Sequence, residues 1–443
     1  MPYTTLAWGL PFAGLLLTIA SAPLAVPGIW GRHYGKLVAF WALAFVAPDA
    51  LHEGVLAAAG RLLDMGLNTY LPFVLLLGAL FVITGGLRIR GAPHGTPGVN
   101  TALLAISTAV SSCIGTPGAS MLMLRPLVRA NRHRARTGHI YVFFIFLVCN
   151  IGGALTPLGN PPLFLGYLRG VPFFWPVMHL FLPTVTVACA VLAVFYAVDR
   201  YIYRDSRKDG EILPEIEKLS IDGGVNLLLL LGAAITMMLR TFWTLPGALD
   251  LFGVAWSFDD IMADALFILL GALSLKLTHK ATRQENAFVW TPIVEISILF
   301  AAIFVALIPV DAIMAAGQAG PGSALFNAMF DAGRPVVPLF YLLPGLLSSV
   351  LDNAPAYLVF FGLAGDDAKL LTGPLALTLA AISAGASYFG AMTYIGNAPN
   401  LMVKSIVESY GVKMPNFFAY IAWSGLCLLP LLLAAMAVFF RAS

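Results

Sequence analysis

The sequence predicts an all-α polytopic membrane protein. Of its 443 residues 59% are apolar and only 11% are charged, and the mean hydropathy is +0.87. A soluble domain carries about 25% charged residues. Apolar runs of roughly 17–25 residues, the length that crosses a bilayer as a helix, recur along the whole chain. An outer-membrane barrel would instead show alternating segments of about ten residues.

Several function classes lack their usual sequence signatures. The four cysteines lie singly, and no His/Cys cluster has a metal-ligand spacing, so neither a disulfide framework nor a zinc site is indicated. No phosphate-binding loop, hydrolase elbow or dinucleotide fingerprint stands in a suitable context. The sequence therefore indicates no enzyme, no ATP-driven pump, no cofactor and no nucleic-acid partner. The first apolar run is interpreted as the first span and not as a signal peptide.

Ten spanning segments are predicted from the apolar runs. They lie near 5–25, 37–56, 70–88, 138–155, 174–199, 223–240, 258–276, 289–310, 373–394 and 417–440.

Two further apolar stretches, 99–128 and 336–362, are interrupted by small and polar residues. Each is either one kinked span or a re-entrant hairpin. The positive-inside rule favours hairpins, because most of the 25 basic residues then fall on one face, predicted to be cytoplasmic. The other face receives Arg61, Arg169, Arg240, Arg334, Lys369 and Arg441. This topology places both termini outside the cytoplasm.

The chain divides into two related halves, 1–203 and 223–443, joined by a hydrophilic cytoplasmic linker, 204–222. Thr156 to Pro162 matches Thr393 to Pro399 at an offset of 237 residues, and the same offset carries Ser111-Ser112 onto Ser348-Ser349. Each half holds five spans and one hairpin. Because five is odd, the second half is predicted to be inverted, and interrupted helices at matching positions of inverted repeats indicate a transporter's binding site.

The two repeated motifs predict unwound helices, around 156–162 and 393–399. Their prolines remove amide donors and their glycines favour non-helical backbone. Unwound backbone at membrane depth lines a cavity or is buried in protein. The alternative is a simple proline kink. The candidate site residues here are Thr156, Gly159, Asn160, Thr393, Gly396 and Asn397.

The hairpin tips supply a second set of candidates, in which short polar side chains stand beside exposed helix ends. For the serines the alternative is close packing between helices. The candidates are Ser111, Ser112 and Thr116 in the first tip, and Ser348, Ser349 and Asn353 in the second.

Three acidic residues inside the predicted spans or hairpins are singled out, because a carboxylate at that depth is a functional hypothesis by default. Asp352 lies at the second hairpin's break and is the strongest candidate, whereas its first-half counterpart is Gly115. Glu295 is either a second proton-linked group or a residue that reaches the cytoplasmic surface. Asp264 is expected at the interface. The basic cluster from Arg125 to Arg136 is interpreted as a topogenic loop, in contact with anionic lipid as a further option.

At these residues the sequence resembles the ion transporter superfamily, which includes NhaD-type sodium/proton antiporters, CitMHS-type citrate transporters, arsenite carriers and dicarboxylate transporters. The segment from Ser349 to Pro355 is similar to the Asp-Asn-x-Pro hairpin of the antiporters. Gly159 to Pro162 and Gly396 to Pro399 fit the superfamily's unwound helices. Neither tip carries the Ser-Asn-Thr of the dicarboxylate carriers. The resemblance implies a homodimer with a fixed scaffold and a moving transport unit.

The first functional prediction is a Na⁺/H⁺ antiporter of the cytoplasmic membrane. Na⁺ is then bound by Asp352, Asn353, Asn397 and Asn160, and it competes with a proton for the Asp352 carboxylate. The alternative is a carrier for citrate or another small organic anion, coupled to Na⁺ or H⁺, in which helix N-termini hold the carboxylates. A channel or purely structural membrane protein is a third reading. The paired helix breaks disfavour it.

Overall fold

The computed structural model describes residues 3–91, 93–206, 220–242, 245–286 and 288–441. Most of the predicted linker, 207–219, lies outside the described residues.

The described chain is helical, with three two-stranded ribbons. The helices before the linker are α1 (Leu10–Ala25), α2 (Pro27–Glu53), α3 (Val55–Met65), α4 (Leu71–Gly85), α5 (Pro97–Ile114), α6 (Thr116–Ala130), α7 (Gly138–Leu147), α8 (Pro161–Leu168) and α9 (Trp175–Ser206).

The helices after the linker are α10 to α21. They are α10 (Val225–Phe242), α11 (Phe258–Leu277), α12 (Lys280–Glu285), α13 (Thr291–Ala315), α14 (Ser323–Met329), α15 (Val337–Val350), α16 (Asn353–Leu363), α17 (Ala368–Thr372), α18 (Ala376–Phe389), α19 (Ala398–Ser409), α20 (Phe417–Cys427) and α21 (Leu429–Phe439).

The strands form short antiparallel ribbons at the ends of the helices. The pairs are β1 (Arg88–Arg90) with β2 (Ser220–Asp222), β3 (Ala248–Leu251) with β4 (Val254–Ser257), and β5 (Phe330–Asp331) with β6 (Arg334–Pro335).

Seven helical segments of the described chain are long and apolar enough to cross a membrane. They are Leu6–Pro23, Gly28–Glu53, Val55–Gly85, Pro97–Ile114, Trp175–Arg204, Thr291–Ala315 and Phe417–Phe439. The predicted class, an all-α polytopic membrane protein, is confirmed at this level.

Two predicted boundaries are wrong. The second predicted span, 37–56, begins ten residues earlier, because Pro27 suits the first turn of a helix and no further proline precedes the apolar run. The predicted loop before 70 is also helical. There α3 continues into α4 through a π-helical turn, Gly66–Tyr70, so one long helical segment runs to Gly85.

The first hairpin consists of α5 and α6, joined at Gly115. The N–H of Gly95, just before α5, donates to the carbonyl of Ala130, the last residue of α6, at 2.8 Å. The chain therefore enters and leaves this hairpin at the same end of the molecule. In the second hairpin, α15 and α16, the rings of Phe340 and Phe360 lie 6.5 Å apart near the open end.

Charged side chains pair at the two ends of the helices. At one end Arg88 and Arg90 both pair with Asp222, which links the start of the first hairpin to the end of the linker. At the other end Arg169 pairs with Asp311 and Asp366. The sequence-based topology assigns Arg88 and Arg90 to one face and Arg169 to the other.

Two of the most deeply buried helices are α7 and α18, the two helices that end at the predicted interruptions. Every residue from Ile140 to Leu147 in α7 is at most 1% exposed, and α18 is buried from Thr378 to Phe389. A helix that is apolar on all sides lies inside a bundle. The two interruptions are therefore surrounded by protein.

Candidate functional site

Both repeated motifs coincide with interruptions of a helix. Between α7 and α8 regular helix stops after Leu147, and a single 3₁₀ turn, Ile151–Gly153, precedes the restart at Pro161. Between α18 and α19 the turn is Gly390–Met392 and helix restarts at Ala398. Asn160 and Asn397 are thus the residues before two helix N-termini.

Each interruption is attached to the hairpin of its own half by the same contact. The Thr156 hydroxyl donates to the carbonyl of Ser112, and the Thr393 hydroxyl donates to the carbonyl of Ser349 at 2.5 Å. Thr156 and Thr393 stand at the repeat offset, as do the two serines. The halves therefore fold the same local structure from matching residues.

Two glycines permit this close packing. A Cβ on Gly159 would lie 2.3 Å from the carbonyl oxygen of Gly153, and one on Gly396 would lie 2.6 Å from that of Gly390. Contacts under 3.0 Å to backbone are not tolerated. Any side chain at Gly159 or Gly396 would push the non-helical segment away from the 3₁₀ turn that precedes it.

The four hairpin serines use their hydroxyls within the protein. Ser111 donates to Val148 O, Ser348 to Ala386 O and Ser349 to Leu346 O, each at 2.7 Å, and Ser112 donates to Gly152 O. The Ser111, Ser112 and Ser348 contacts join the hairpins to neighbouring segments, which is the packing alternative for serine, whereas the Ser349 contact stays within α15. The Ser112 and Ser349 carbonyls are also engaged, by the threonines.

The two halves meet through a pair of asparagines. Asn353 Nδ2, at the start of α16, donates to Asn160 Oδ1 at 2.9 Å. Three buried atoms nearby have no hydrogen-bond partner in the described chain: Asn160 Nδ2, Asn353 Oδ1 and Thr116 Oγ1. Thr116 and Asn160 both border Gly153, so these atoms belong to one polar cluster at the tip of the first hairpin.

Asp352 lies where two helix N-termini meet. Its carboxylate accepts from Ala354 N at 3.1 Å and so caps α16. The backbone amide of Ala398, the first residue of α19, lies beside the same carboxylate. Helix N-termini carry partial positive charge, which stabilises an anion there. The first half has Gly115 at this place, with φ +81°, so a side chain there would be strained.

Asn397 is held next to Asp352 by its amide nitrogen. Nδ2 donates to Cys149 O at 2.7 Å and to Asn150 Oδ1 at 3.2 Å. Asn397 also lines the cavity that Asp352 lines. Asn397 thus shares a cavity with Asp352, while Asn353, the residue after Asp352, is bonded to Asn160.

A cavity of about 530 Å³ extends from Asp352 to Tyr410 at the end of α19. Its walls come from α1, α6, α13 and α19, and its charged lining residues are Arg125, Glu295 and Asp352. Glu295 is exposed and has no hydrogen-bond or ion-pair partner among the described residues. Glu295 lies in the second turn of α13, and its side chain forms part of the cavity wall.

Arg125 is a cavity residue that the sequence interpretation missed. The prediction placed it in a cytoplasmic loop, but it lies within α6, nearly three turns beyond the hairpin tip. Its guanidinium donates to Asn286 Oδ1 at 3.1 Å, and no carboxylate of the described chain lies within ion-pair distance. The only sequence signal was its position, first in the basic cluster and nearest to the hairpin break.

Arg134, from the same basic cluster, is not in a solvated loop either. It is 8% exposed and forms a bidentate ion pair with the fully buried Asp199, at 2.5 and 3.1 Å. His139 Nε2 lies 2.8 Å from Asp199 Oδ1, and Asn100 donates to Asp199 Oδ2 at 3.0 Å. This network joins the base of the first hairpin to α7 and α9.

Asp264, for which the sequence predicts an interfacial depth, is buried within the protein in α11, only 4% exposed. Neither carboxylate oxygen has a hydrogen-bond partner in the described chain. The nearest charges are those of Arg240 and Asp260, which pair with each other. Asp264 does not line the cavity that contains Asp352.

Comparison with known proteins places the chain in a family. Curated proteins give no match. A family model matches residues 2–440, nearly the whole chain, and its description is "Putative citrate transport". The resemblance to the citrate branch of the ion transporter superfamily is thereby confirmed, and with it the assignment as a multi-pass membrane protein of a transporter family. The chain belongs to the CitMHS_2 citrate-transport family.

Proposed function

We propose that this protein is a secondary transporter for citrate or a closely related organic polycarboxylate, coupled to Na⁺ or H⁺. One observation carries the proposal. Arg125, with no carboxylate partner in the described chain, lines the same cavity as the N-terminus of α19 and Asp352. A guanidinium binds carboxylates in a bidentate manner, and a helix N-terminus is an anion site. The family match supports the same substrate class.

The negative charge of Asp352 would couple binding of the organic anion to binding of a cation. An ionised carboxylate at the N-terminus of α19 repels a substrate carboxylate at the same place. A Na⁺ bound by Asp352 and Asn397, or a proton on Asp352, removes that repulsion. The anion then binds well only when the cation is present, which is the condition for coupled transport. Asn353 Oδ1 and Thr116 Oγ1 supply further oxygen atoms for a cation, and Asn160 Oδ1, which accepts from Asn353, retains a second lone pair.

The two halves are proposed to be inverted repeats, 1–203 and 223–443. The matching Thr-to-Ser contacts and the matching helix interruptions support this division. Alternating access would then expose one site, between the two interruptions, to each side of the membrane in turn. The cavity described above would be the opening toward the basic face, which we assign to the cytoplasm.

The first sequence-based function, Na⁺/H⁺ antiport without an organic anion, is retained as the second candidate. It is favoured by Asp352, whose carboxylate can hold either cation. The cavity position of Arg125 disfavours it, because a fixed positive charge there repels Na⁺. A location in the cytoplasmic membrane, both termini outside the cytoplasm and a homodimer are further proposals that rest on the charge distribution and the resemblance.

The test uses purified protein in liposomes that contain a pH-sensitive dye. Sodium is added outside with and without labelled citrate, for wild type and Asp352→Asn. Citrate accumulation that requires a cation gradient, and that fails in the variant, supports the proposal. Sodium-driven proton movement in the absence of citrate, lost in Asp352→Asn, would instead select the antiporter. Movement of neither species would overturn both functions.

A further inference from the structure

A second large cavity lies outside the proposed transport site, at the end of the molecule where α6 leads into α7. It has a volume of about 730 Å³. Two connecting loops border it, the α6–α7 loop and the α19–α20 loop. Its cationic lining residues are Arg132, Arg134, Arg136 and Lys413, and no acidic residue lines it within the described chain.

We propose that this basic cavity binds the phosphate group of an anionic phospholipid. Four positive side chains around one space make a site for an anion with more than one oxygen. Arg134 is balanced by Asp199 on its buried side, but its Nε has no hydrogen-bond partner in the described chain. The net charge of the lining remains positive because Arg132 and Lys413 are exposed and form no ion pair with any residue that the structure describes.

Backbone donors add to the side chains. The N-terminus of α7 opens at this cavity, since Thr137 and Gly138 both line it. The Thr137 side chain makes no capping hydrogen bond, so it does not satisfy the first amides of α7. Helix amides and arginines together are the usual partners of a phosphate group.

The surroundings favour a lipid as the source of that phosphate. The side chains of Tyr410 and Phe418 flank the α19–α20 loop and are 45% and 80% exposed. Tyrosine side chains gather at the level of lipid headgroups, and an exposed phenylalanine beside them is apolar surface for an acyl chain. Basic pockets between helices on the cytoplasmic side are known as headgroup sites, and this end of the molecule carries most of the basic residues.

The cavity has a structural link to the proposed transport site. Tyr410 lines both cavities, and it is the residue that follows α19. A headgroup held by Arg132 and Lys413 therefore contacts the end of the helix whose N-terminus lies beside Asp352. Lipid composition is expected to change the transport rate through this helix, whatever the transported species is.

The test compares wild type, the double variant Arg132→Gln/Lys413→Gln and the matched control Lys276→Gln/Lys280→Gln. The control removes two exposed basic residues from the same face but outside the cavity. Delipidated protein is titrated with phosphatidylglycerol, phosphatidylcholine or inorganic phosphate, and the thermal unfolding midpoint is followed. Each Lys or Arg near an anionic headgroup contributes roughly five-fold in affinity.

The expected result is a half-saturation for phosphatidylglycerol about 25-fold weaker in the cavity variant, and unchanged in the control. If inorganic phosphate protects wild type as well as the lipid does, and fails in the cavity variant, the site takes a phosphate from a soluble source. Equal weakening in the cavity variant and the control would mean non-specific attraction to the surface and would overturn the site. So would equal half-saturation in all three proteins.

Discussion

Replacing Asp199 by asparagine is expected to destabilise the protein strongly, because it breaks a buried ion pair. Asp199 is fully buried and Arg134 is only 8% exposed. Water therefore cannot solvate the Arg134 guanidinium once the Asp199 charge is removed. Asp199 also accepts from Asn100 and contacts His139. Removing one partner of such a pair costs roughly 3–5 kcal/mol.

The free energy of unfolding is to be measured by SDS titration in mixed micelles. The matched control is Glu408→Gln, which breaks the Lys404–Glu408 pair on the surface, 2.8 Å long. A solvent-exposed pair of this kind contributes about 0–1 kcal/mol. The expected ratio between the two costs is therefore at least about three.

A double variant separates charge from shape. Asp199→Leu combined with Arg134→Met removes both charges, and apolar replacement of a whole buried pair is often neutral. This variant is expected to recover most of the stability that Asp199→Asn loses. A loss in Asp199→Asn no larger than that of Glu408→Gln would refute the reasoning, since it would mean that water reaches the pair.

Three further outcomes are expected from single substitutions. Arg125→Gln should raise the KM for citrate by roughly ten-fold or more in liposome uptake, the scale of one lost hydrogen bond to a charged group, and Arg125→Lys should lose less. Gly159→Ala should abolish uptake because its methyl group meets the Gly153 carbonyl, whereas Gly98→Ala, with open space around it, should retain uptake. Asp264→Asn should raise the thermal unfolding midpoint by about 1–2 °C and leave uptake intact, because the acid is buried without hydrogen-bond partners in the described chain; a lower midpoint would contradict this.

The membrane class and the places where helices are interrupted could be predicted from local sequence. Apolar runs fix the spans, and proline with glycine marks the backbone that cannot continue as helix. Gly159 and Gly396 are both needed at close backbone contacts. The helix of α3 was missed because its short, mixed run lies below the length of a span.

The charged partners could not be predicted from the sequence. Arg125 and Arg134 both belong to one basic cluster in the sequence. Arg125 lines the cavity that contains Asp352, whereas Arg134 is buried against Asp199. Asp199 is 65 residues from Arg134. Local patterns carry no record of such long-range contacts, so a run of arginines is indistinguishable from a surface loop until the helices are packed.

The central claim, that the cavity between α6, α13 and α19 holds an organic anion beside Asp352, is tested most directly by an experimental density map. The purified protein is to be imaged with sodium and citrate, and with sodium alone. The account predicts density of tricarboxylate size in the first map only, between Arg125 and the N-terminus of α19. An empty cavity, or density no larger than an ion, in both maps would contradict it and favour an ion exchanger.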